Sequence, residues 1–335
     1  MKTIGILIFP LLLFACLAGC ERSDLFELAK YGVDRVYALG YDGMSTKLYI
    51  ARPGYYQQYD TMTSISFSVM AAGGGAVFAS AGTPIYSPTG SLSSTWNSLP
   101  GIQPNSIFNM VDSDGEVLVL GDWTAIYYLC RLYRDSFTKL DAFEEKKEIS
   151  SLLGSYYPLF MFKAAGSGKV YLVALFDDVT FEYIKIFSVS GGGVSELGTY
   201  TMNVLPGTIQ SAGKKGDYIY MLNAMGVIYR MSLSNPGMVQ EYSAVSASSI
   251  AVTESGIYSL YTSADGHLTK FDEETGLLSA TIRTFIGASS GEVLPFDREG
   301  IAIRLSGGTE QGVWIYKDGD FKQIVNASLD TMYVQ

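Results

Sequence analysis

The stretch GKVYLVALF (168–176) decides how this chain folds. In an extended strand Val170, Leu172, Ala174 and Phe176 fall on one side, and Tyr171, Val173 and Leu175 on the other. Both sides are apolar, so the strand must be covered on both faces. Moving outward, the same opening recurs: a glycine, then a short apolar strand. GVDRVYAL begins at Gly32, GAVFAS at Gly75, GEVLVL at Gly115, GDYIYML at Gly216, GIYSLY at Gly256 and GIAIRL at Gly300. With Gly168 included, the intervals are 43, 40, 53, 48, 40 and 44 residues.

A second mark runs in phase with the first. Each glycine is followed, 15 to 24 residues later, by a tight turn between two further strands, near Gly54, Gly90, Asp135, Gly192, Gly237, Gly276 and Gly319. One more strand precedes each glycine, as SIFNMV does before Gly115. Four strands per ~42 residues is the period of a propeller blade. The fold expected is therefore all-β, a seven-bladed β-propeller, with six or eight blades as alternatives. One helical insert, DAFEEKKEISSLLGS (141–155), explains the longest interval: Asp141 would cap it, Glu144 would sit at N3 and Gly154 would end it. The tail LDTMYVQ (329–335) is a candidate closing strand against the N-terminal blade.

The start, MKTIGILIFPLLLFACLAGC, follows different rules. Lys2 precedes a 13-residue apolar core, Ile4 to Cys16, and no acidic residue occurs before Glu21. A spanning helix needs about 20 apolar residues, so this core has the length of a secretion signal. Leu17-Ala18-Gly19-Cys20 resembles the bacterial lipobox. That resemblance implies cleavage after Gly19 and lipid on the Cys20 thiol and new amine. The expected organisation is a signal over 1–19, a lipidated tether with a short helix (DLFELAK, from Asp24) over 20–31, and the propeller over 32–335. About 12 residues between Cys20 and the first strand would reach at most ~40 Å. In enteric bacteria an Asp after the lipidated Cys retains a lipoprotein at the inner membrane. Glu21 stands there instead, which favours the outer membrane.

Composition sets further limits. From residue 20 onward there are 22 basic and 33 acidic side chains, a net charge of −11. Nucleic-acid binding and docking on anionic headgroups both rest on clustered Lys and Arg, so neither is expected. Once Cys16 is cleaved away and Cys20 is lipidated, Cys130 has no disulfide partner, and in IYYLCRLY it reads as a small buried hydrophobe.

Two single-blade resemblances follow from the repeats. TGSLSSTWNSLPG (89–101) is similar to the Asp-box turn of sialidase-type propellers, with Thr95 and Trp96 matching and Ser91 and Ser93 in place of Asp and Gly. FDEETGLLSATI (271–282) resembles the quinoprotein-type repeat, which also builds the propeller lipoprotein that assists outer-membrane-protein assembly. They agree on fold and imply different functions.

No catalytic set emerges. His267, the single histidine, sits in SADGHLTKF and reads as an exposed turn residue, which leaves Ser–His–Asp and zinc chemistry without a partner set. DSDGE (112–116) has hairpin chemistry and lacks the later ligands of a calcium loop. Asp177, Asp178 and Glu182 are the densest carboxylate group. The arginines at 22, 35, 52, 131, 134, 230, 283, 298 and 304 would have to converge for sialidase-like chemistry, and no motif gathers them. No cofactor and no metal are expected. Tyr55, Tyr56 and Tyr59, just after a turn, are the candidate binding surface. The function expected is a membrane-anchored, non-enzymatic scaffold of the cell envelope, a monomer that binds an envelope protein or a glycan. The alternatives are a sialidase-like carbohydrate-active enzyme and an envelope assembly factor.

Overall fold

The structure is a computed structural model. It describes residues 34–41, 44–60, 69–73, 76–80, 84–88, 96–113, 115–133, 136, 139–177, 182–190, 193–202, 209–242 and 247–335. The signal, Cys20 and the DLFELAK segment lie outside the described residues, as do residues 89–95 of the Asp-box-like stretch.

The described strands assemble into seven four-stranded antiparallel sheets. Sheet 1 takes β1 (Val36–Tyr41), β2 (Thr46–Arg52) and β3 (Tyr55–Asp60). Sheet 2 takes β4 (Val69–Gly73), β5 (Ala76–Ser80), β6 (Pro84–Pro88) and β7 (Asn97–Ser98). Sheet 3 takes β8 (Ser106–Ser113), β9 (Glu116–Trp123), β10 (Ile126–Leu132) and β11 (Lys147–Glu148). Sheet 4 takes β12 (Tyr157–Lys163), β13 (Val170–Asp177), β14 (Glu182–Ser190) and β15 (Gly193–Met202). Sheet 5 takes β16 (Ile209–Lys215), β17 (Tyr218–Asn223), β18 (Ile228–Ser232) and β19 (Val239–Tyr242). Sheet 6 takes β20 (Ser249–Val252), β21 (Ile257–Thr262), β22 (Gly266–Phe271) and β23 (Arg283–Phe285). Sheet 7 takes β24 (Ser290–Pro295), β25 (Ile301–Ser306), β26 (Gly312–Lys317) and β27 (Asp320–Val325). The tail forms β28 (Thr331–Val334) and joins sheet 1 beside β1, with Val36 opposite Val334 and Leu39 opposite Thr331. The last strand thus pairs with the first and covers an edge that would otherwise stay open.

The first strand of each sheet touches the first strand of the next: β28 meets β4, then β8, β12, β16, β20 and β24, and β24 meets β28 again. These inner strands surround an axis. The sequence marks fall on their turns. Gly115, Gly168, Gly216, Gly256 and Gly300 lie between inner and second strands, and Gly54, Gly237, Gly276 and Gly319 between third and fourth strands. Because strands alternate in direction, both sets of turns share one face of the disc, here called the turn face. The connections between second and third strands, and from one sheet to the next, occupy the opposite loop face. At Asp318-Gly319 both residues have positive φ, 52° and 85°, the two-residue hairpin turn that Gly and Asp tolerate.

The core lies between sheets, as the two-sided strand requires. On β13, Val170, Leu172 and Ala174 belong to a cluster with Leu118 and Leu120 of sheet 3, whereas Tyr171, Val173 and Leu175 join a cluster with Ile219 and Met221 of sheet 5. On β17, Tyr220 and Leu222 face a third cluster with Ile250 and Phe271. Burying such a side chain is worth about 1.5–3 kcal/mol.

The expected helix over 141–155 is corrected. Only Ser150–Leu153 is helical, here α1. Phe143 is fully buried and its ring meets Trp123 edge-on at 5.3 Å. Asp141 accepts a hydrogen bond from the Phe143 N–H at 2.9 Å in a turn, and Lys147–Glu148 pairs with β10 as the fourth strand of sheet 3. Edge pairing and the buried Phe143 override helix propensity. Cys130 is buried in the same cluster, and burial pushes its thiol up to about 12.

Candidate functional site: the axial cavity and the two faces

The inner strands enclose a cavity of about 790 Å³. Its wall is mixed, with Phe108, Leu159, Phe160, Ile209 and Leu294 beside polar groups such as Asn109, Gln210 and Ser249. Charged groups gather toward the turn face, at the ends of inner strands. Asp112 ends β8 and Lys163 ends β12, and the Lys163 Nζ donates to Asp112 Oδ2 at 2.5 Å. The Tyr333 hydroxyl of β28 donates to the other oxygen of the same carboxylate, and the Asp112 N–H donates to that hydroxyl at 2.7 Å. One buried carboxylate therefore ties sheets 1, 3 and 4 together. Burial and the Asp112 charge hold the Tyr333 hydroxyl well above its usual range. In sheet 7, Lys317 Nζ donates to Asp297 Oδ2 at 2.6 Å, while Asp297 Oδ1 accepts from the Glu299 and Gly300 N–H groups.

Asp34, just before β1, lines the same end of the cavity. Burial, and then the Asp297 carboxylate, push its carboxyl above the usual carboxylate range; Lys163 and Lys317 pull it part of the way back. Arg298 reaches across the axis from sheet 7 to the Gly166 carbonyl of sheet 4, 3.4 Å away. Gly166 has φ 66°, and a Cβ there would lie 2.1 Å from the Arg298 Cγ, so only glycine lets the strap lie this close.

The two faces differ in chemistry. The turn face holds the ion pairs of Lys163, Lys317, Lys139 and Lys215, as well as the Arg131–Glu116 pair. Glu273, in the quinoprotein-like turn of sheet 6, reaches back to sheet 5 and accepts hydrogen bonds from Lys215 and from the Tyr220 hydroxyl. Burial alone would raise the Glu273 carboxyl, but those two donors outweigh it and hold it below the usual range. The loop face carries Met44, Ile102, Met225 and Ile286, exposed by 87%, 71%, 62% and 69%, against Leu140, Leu277 and Met238 on the turn face, exposed by 98%, 67% and 50%. Phe108 and Tyr157 stand half-exposed at inner-strand starts on that face.

The predicted tyrosine surface divides. Tyr55 and Tyr59 point to one side of β3 and pack with Trp96 on the cluster between sheets 1 and 2, and Arg35 and Arg52 lie over the Tyr55 ring at 5.6 and 5.5 Å. Tyr56 points to the other side and is 51% exposed. His267 is corrected from turn to strand: it is half-buried on β22, its ring stacks on Tyr261 and its Nδ1 lies 3.2 Å from Thr284 Oγ1. Asp112 does more than turn chemistry. Asp177 and Glu182 are partners in the backbone register of β13 and β14, and Asp178 lies outside the described residues. Among the described residues no three His, Cys, Asp or Glu side chains gather as a metal site. Motif reasoning missed the cavity floor, although a positional signal existed. Asp112 and Asp297 each stand three residues before the repeat glycine, and Lys163 five before it.

Four-stranded antiparallel sheets arranged around an axial cavity define the class: this chain is a β-propeller. Solved structures agree on that class. The chain is similar to a puromycin-hydrolysing peptidase of Mycobacterium tuberculosis at 14% identity and TM-score 0.53; the match covers 91% of this chain but only 55% of the peptidase, so this chain spans about half its length. It is similar to the WD40 β-propeller domain of Doa1, with 11% identity, TM-score 0.52 and coverage of 85% and 89%. It is also similar to the β-propeller domain of the Trilobed protease from Pyrococcus furiosus, with 11% identity, TM-score 0.50 and coverage of 87% and 93%. At such identities the likeness concerns the fold alone. No family model matches the chain, and no curated protein matches it.

Proposed function

We propose that this chain is a lipid-anchored, seven-bladed propeller of the cell envelope that serves as a non-enzymatic scaffold and presents its loop face to an envelope protein or glycan. The observation that carries this reading is the division of labour between the faces. The chain enters β1 from the turn face, at Asp34, so a tether from Cys20 reaches the disc on that side. The first strand begins at Val36, which lengthens the reach from Cys20 to at most ~58 Å. The face rich in ion pairs then lies toward the bilayer, and the face rich in exposed apolar side chains points away from it. We take these side chains, on sheets 1 and 5 and on the links between sheets 2 and 3 and between sheets 6 and 7, as the contact points of that face. Glu21 favours the outer membrane.

The sialidase-like alternative needs converging arginines. Among the described residues Arg131 and Arg304 are each taken by a glutamate in their own sheet, Arg283 of sheet 6 by Glu310 in the β25–β26 connection of sheet 7, Arg230 lies on the Tyr218 ring, and Arg298 alone lines the cavity. That arrangement favours the scaffold. Two experiments test the proposal. Mass spectrometry of the mature N-terminus should find acylated Cys20, and Cys20→Ser should release the protein from membranes. Photo-crosslinkers at Met44, Met225 and Ile286 should capture a partner that the same probe at Leu277, on the turn face, does not. Equal capture from both faces would sink the scaffold reading.

A further inference from the structure

The axial cavity holds a mixed set of charges. Asp34 lies near two further carboxylates, Asp112 and Asp297, and two ammonium groups, Lys163 and Lys317. Glu292, paired with Arg304, and Arg298 also line the cavity. Each ammonium is already committed, Lys163 to Asp112 and Lys317 to Asp297. Arg298 is directed elsewhere, to the Gly166 carbonyl and to Glu254 at 3.9 Å. Among the described residues Asp34 has neither a hydrogen-bond nor an ion-pair partner. A half-buried carboxylate left in this state is costly, and it is relieved either by protonation or by a cation. Beyond it the mixed wall carries the apolar and aromatic side chains of Phe108, Leu159, Phe160 and Leu294. Aromatic faces attract cations and reject anions. The volume, about 790 Å³, lies in the range of small-molecule sites, roughly 300–1,000 Å³.

We propose that the axial cavity binds a small molecule with an apolar body and a single cationic group, an amine or a guanidine, and that Asp34 is its counter-charge. A doubly charged metal ion fits less well, because the other carboxylates are held by cationic side chains. An anion would meet Asp34, the carboxylate with no cationic partner among the described residues. The proposal concerns a site distinct from the loop-face surface and does not depend on a macromolecular partner.

The test uses the full chain in dodecyl maltoside micelles, with blank micelles as the reference, and equilibrium dialysis of three probes of equal size: 4-phenylbutylamine, 4-phenylbutanol and 4-phenylbutyrate. The amine should bind at least tenfold more tightly than the carboxylate, with the alcohol between them. Asp34→Asn should remove the preference for the amine while leaving alcohol binding unchanged. A second variant, Leu294→Trp, fills the cavity from its wall and should abolish binding of all three probes with the circular dichroism spectrum retained. Equal binding of amine and carboxylate would overturn the proposal. So would no amine binding at millimolar concentration, or a preference that survives Asp34→Asn.

Discussion

The turn face and the loop face of this propeller are built from the same strands but follow different rules. On the turn face, polar side chains are partnered across sheets: Asp112 joins sheets 1, 3 and 4, and Glu273 joins sheets 5 and 6. On the loop face, Met44, Met225 and Ile286 project into solvent. The lesson is one of balance: the loop face has its own ties, Arg283 of sheet 6 to Glu310 of sheet 7 and Arg304 to the Leu329 carbonyl before β28, but it leaves more apolar side chains exposed than the turn face does. Substitutions should separate the two faces, strongly on one and weakly on the other.

The largest effect is expected at Asp112. Asp112→Ala leaves the Lys163 ammonium and the Tyr333 hydroxyl without their shared acceptor in a nearly closed site. Breaking a buried pair from one side costs about 3–5 kcal/mol, and the partial exposure of Lys163 places this case near 3. Denaturant unfolding should show that loss. Because Tyr333 lies on the closing strand, protection of the β28 amides from hydrogen exchange should fall first. A loss below ~1 kcal/mol would mean that closure does not depend on this carboxylate.

Next comes Glu273. Its folded carboxyl lies below the usual range, so its stabilisation is fully present above the unfolded value of about 4.3 and is lost as pH falls through the folded one. Tyr220 works in the opposite sense. Burial, and then its bond to Glu273, raise its hydroxyl, so that contribution is kept below about pH 10 and lost above it. Glu273→Gln should cost about 1–2 kcal/mol at neutral pH and flatten the acid limb of the stability profile. A variant whose acid limb matches the parent's would break the assignment.

How much of this was legible in the sequence depends on the range of the interaction. The repeat glycines announced the turns because a glycine before an apolar strand is a local signal, and Gly115 and Gly216 sit at φ 83° and 56° where expected. The two-sided burial of 170–175 could be read from alternation alone. The 141–155 segment misled because its charges satisfy helix rules locally, whereas Phe143 and the Lys147–Glu148 pairing answer to sheet 3. Tyr55, Tyr56 and Tyr59 looked like one surface, but a strand sends neighbours to opposite sides. The cavity floor was illegible as a motif because Asp34, Asp112, Lys163 and Asp297 meet only when the ring closes.

Gly166 tests the boundary between the faces. Gly166→Ala adds a Cβ against the Arg298 stem at a φ of 66°, and the positive φ alone costs about 1 kcal/mol. Arg298 is largely exposed and can swing away, so the expected result is a small loss of stability with faster proteolysis at Arg298. An unchanged cleavage rate would show that the strap does not protect this end of the axis.

The smallest effect on stability carries the most functional information. Met44, Met225 and Ile286 are exposed by 87%, 62% and 69%, so replacing them by Gln, Gln and Ser removes almost no buried area. Each change should stay within about 0.5 kcal/mol, and the triple variant should keep its melting temperature within a few degrees. Binding behaves differently, because an interface gains most from apolar groups that become buried only in the complex. The triple variant should therefore lose the partner captured by crosslinking while remaining folded. The matching pair on the turn face, Met238→Gln with Leu277→Gln, is exposed by 50% and 67% and should leave capture intact. If both variants lose the partner equally, the loop face has no special role, and the asymmetry between the faces reflects stability alone.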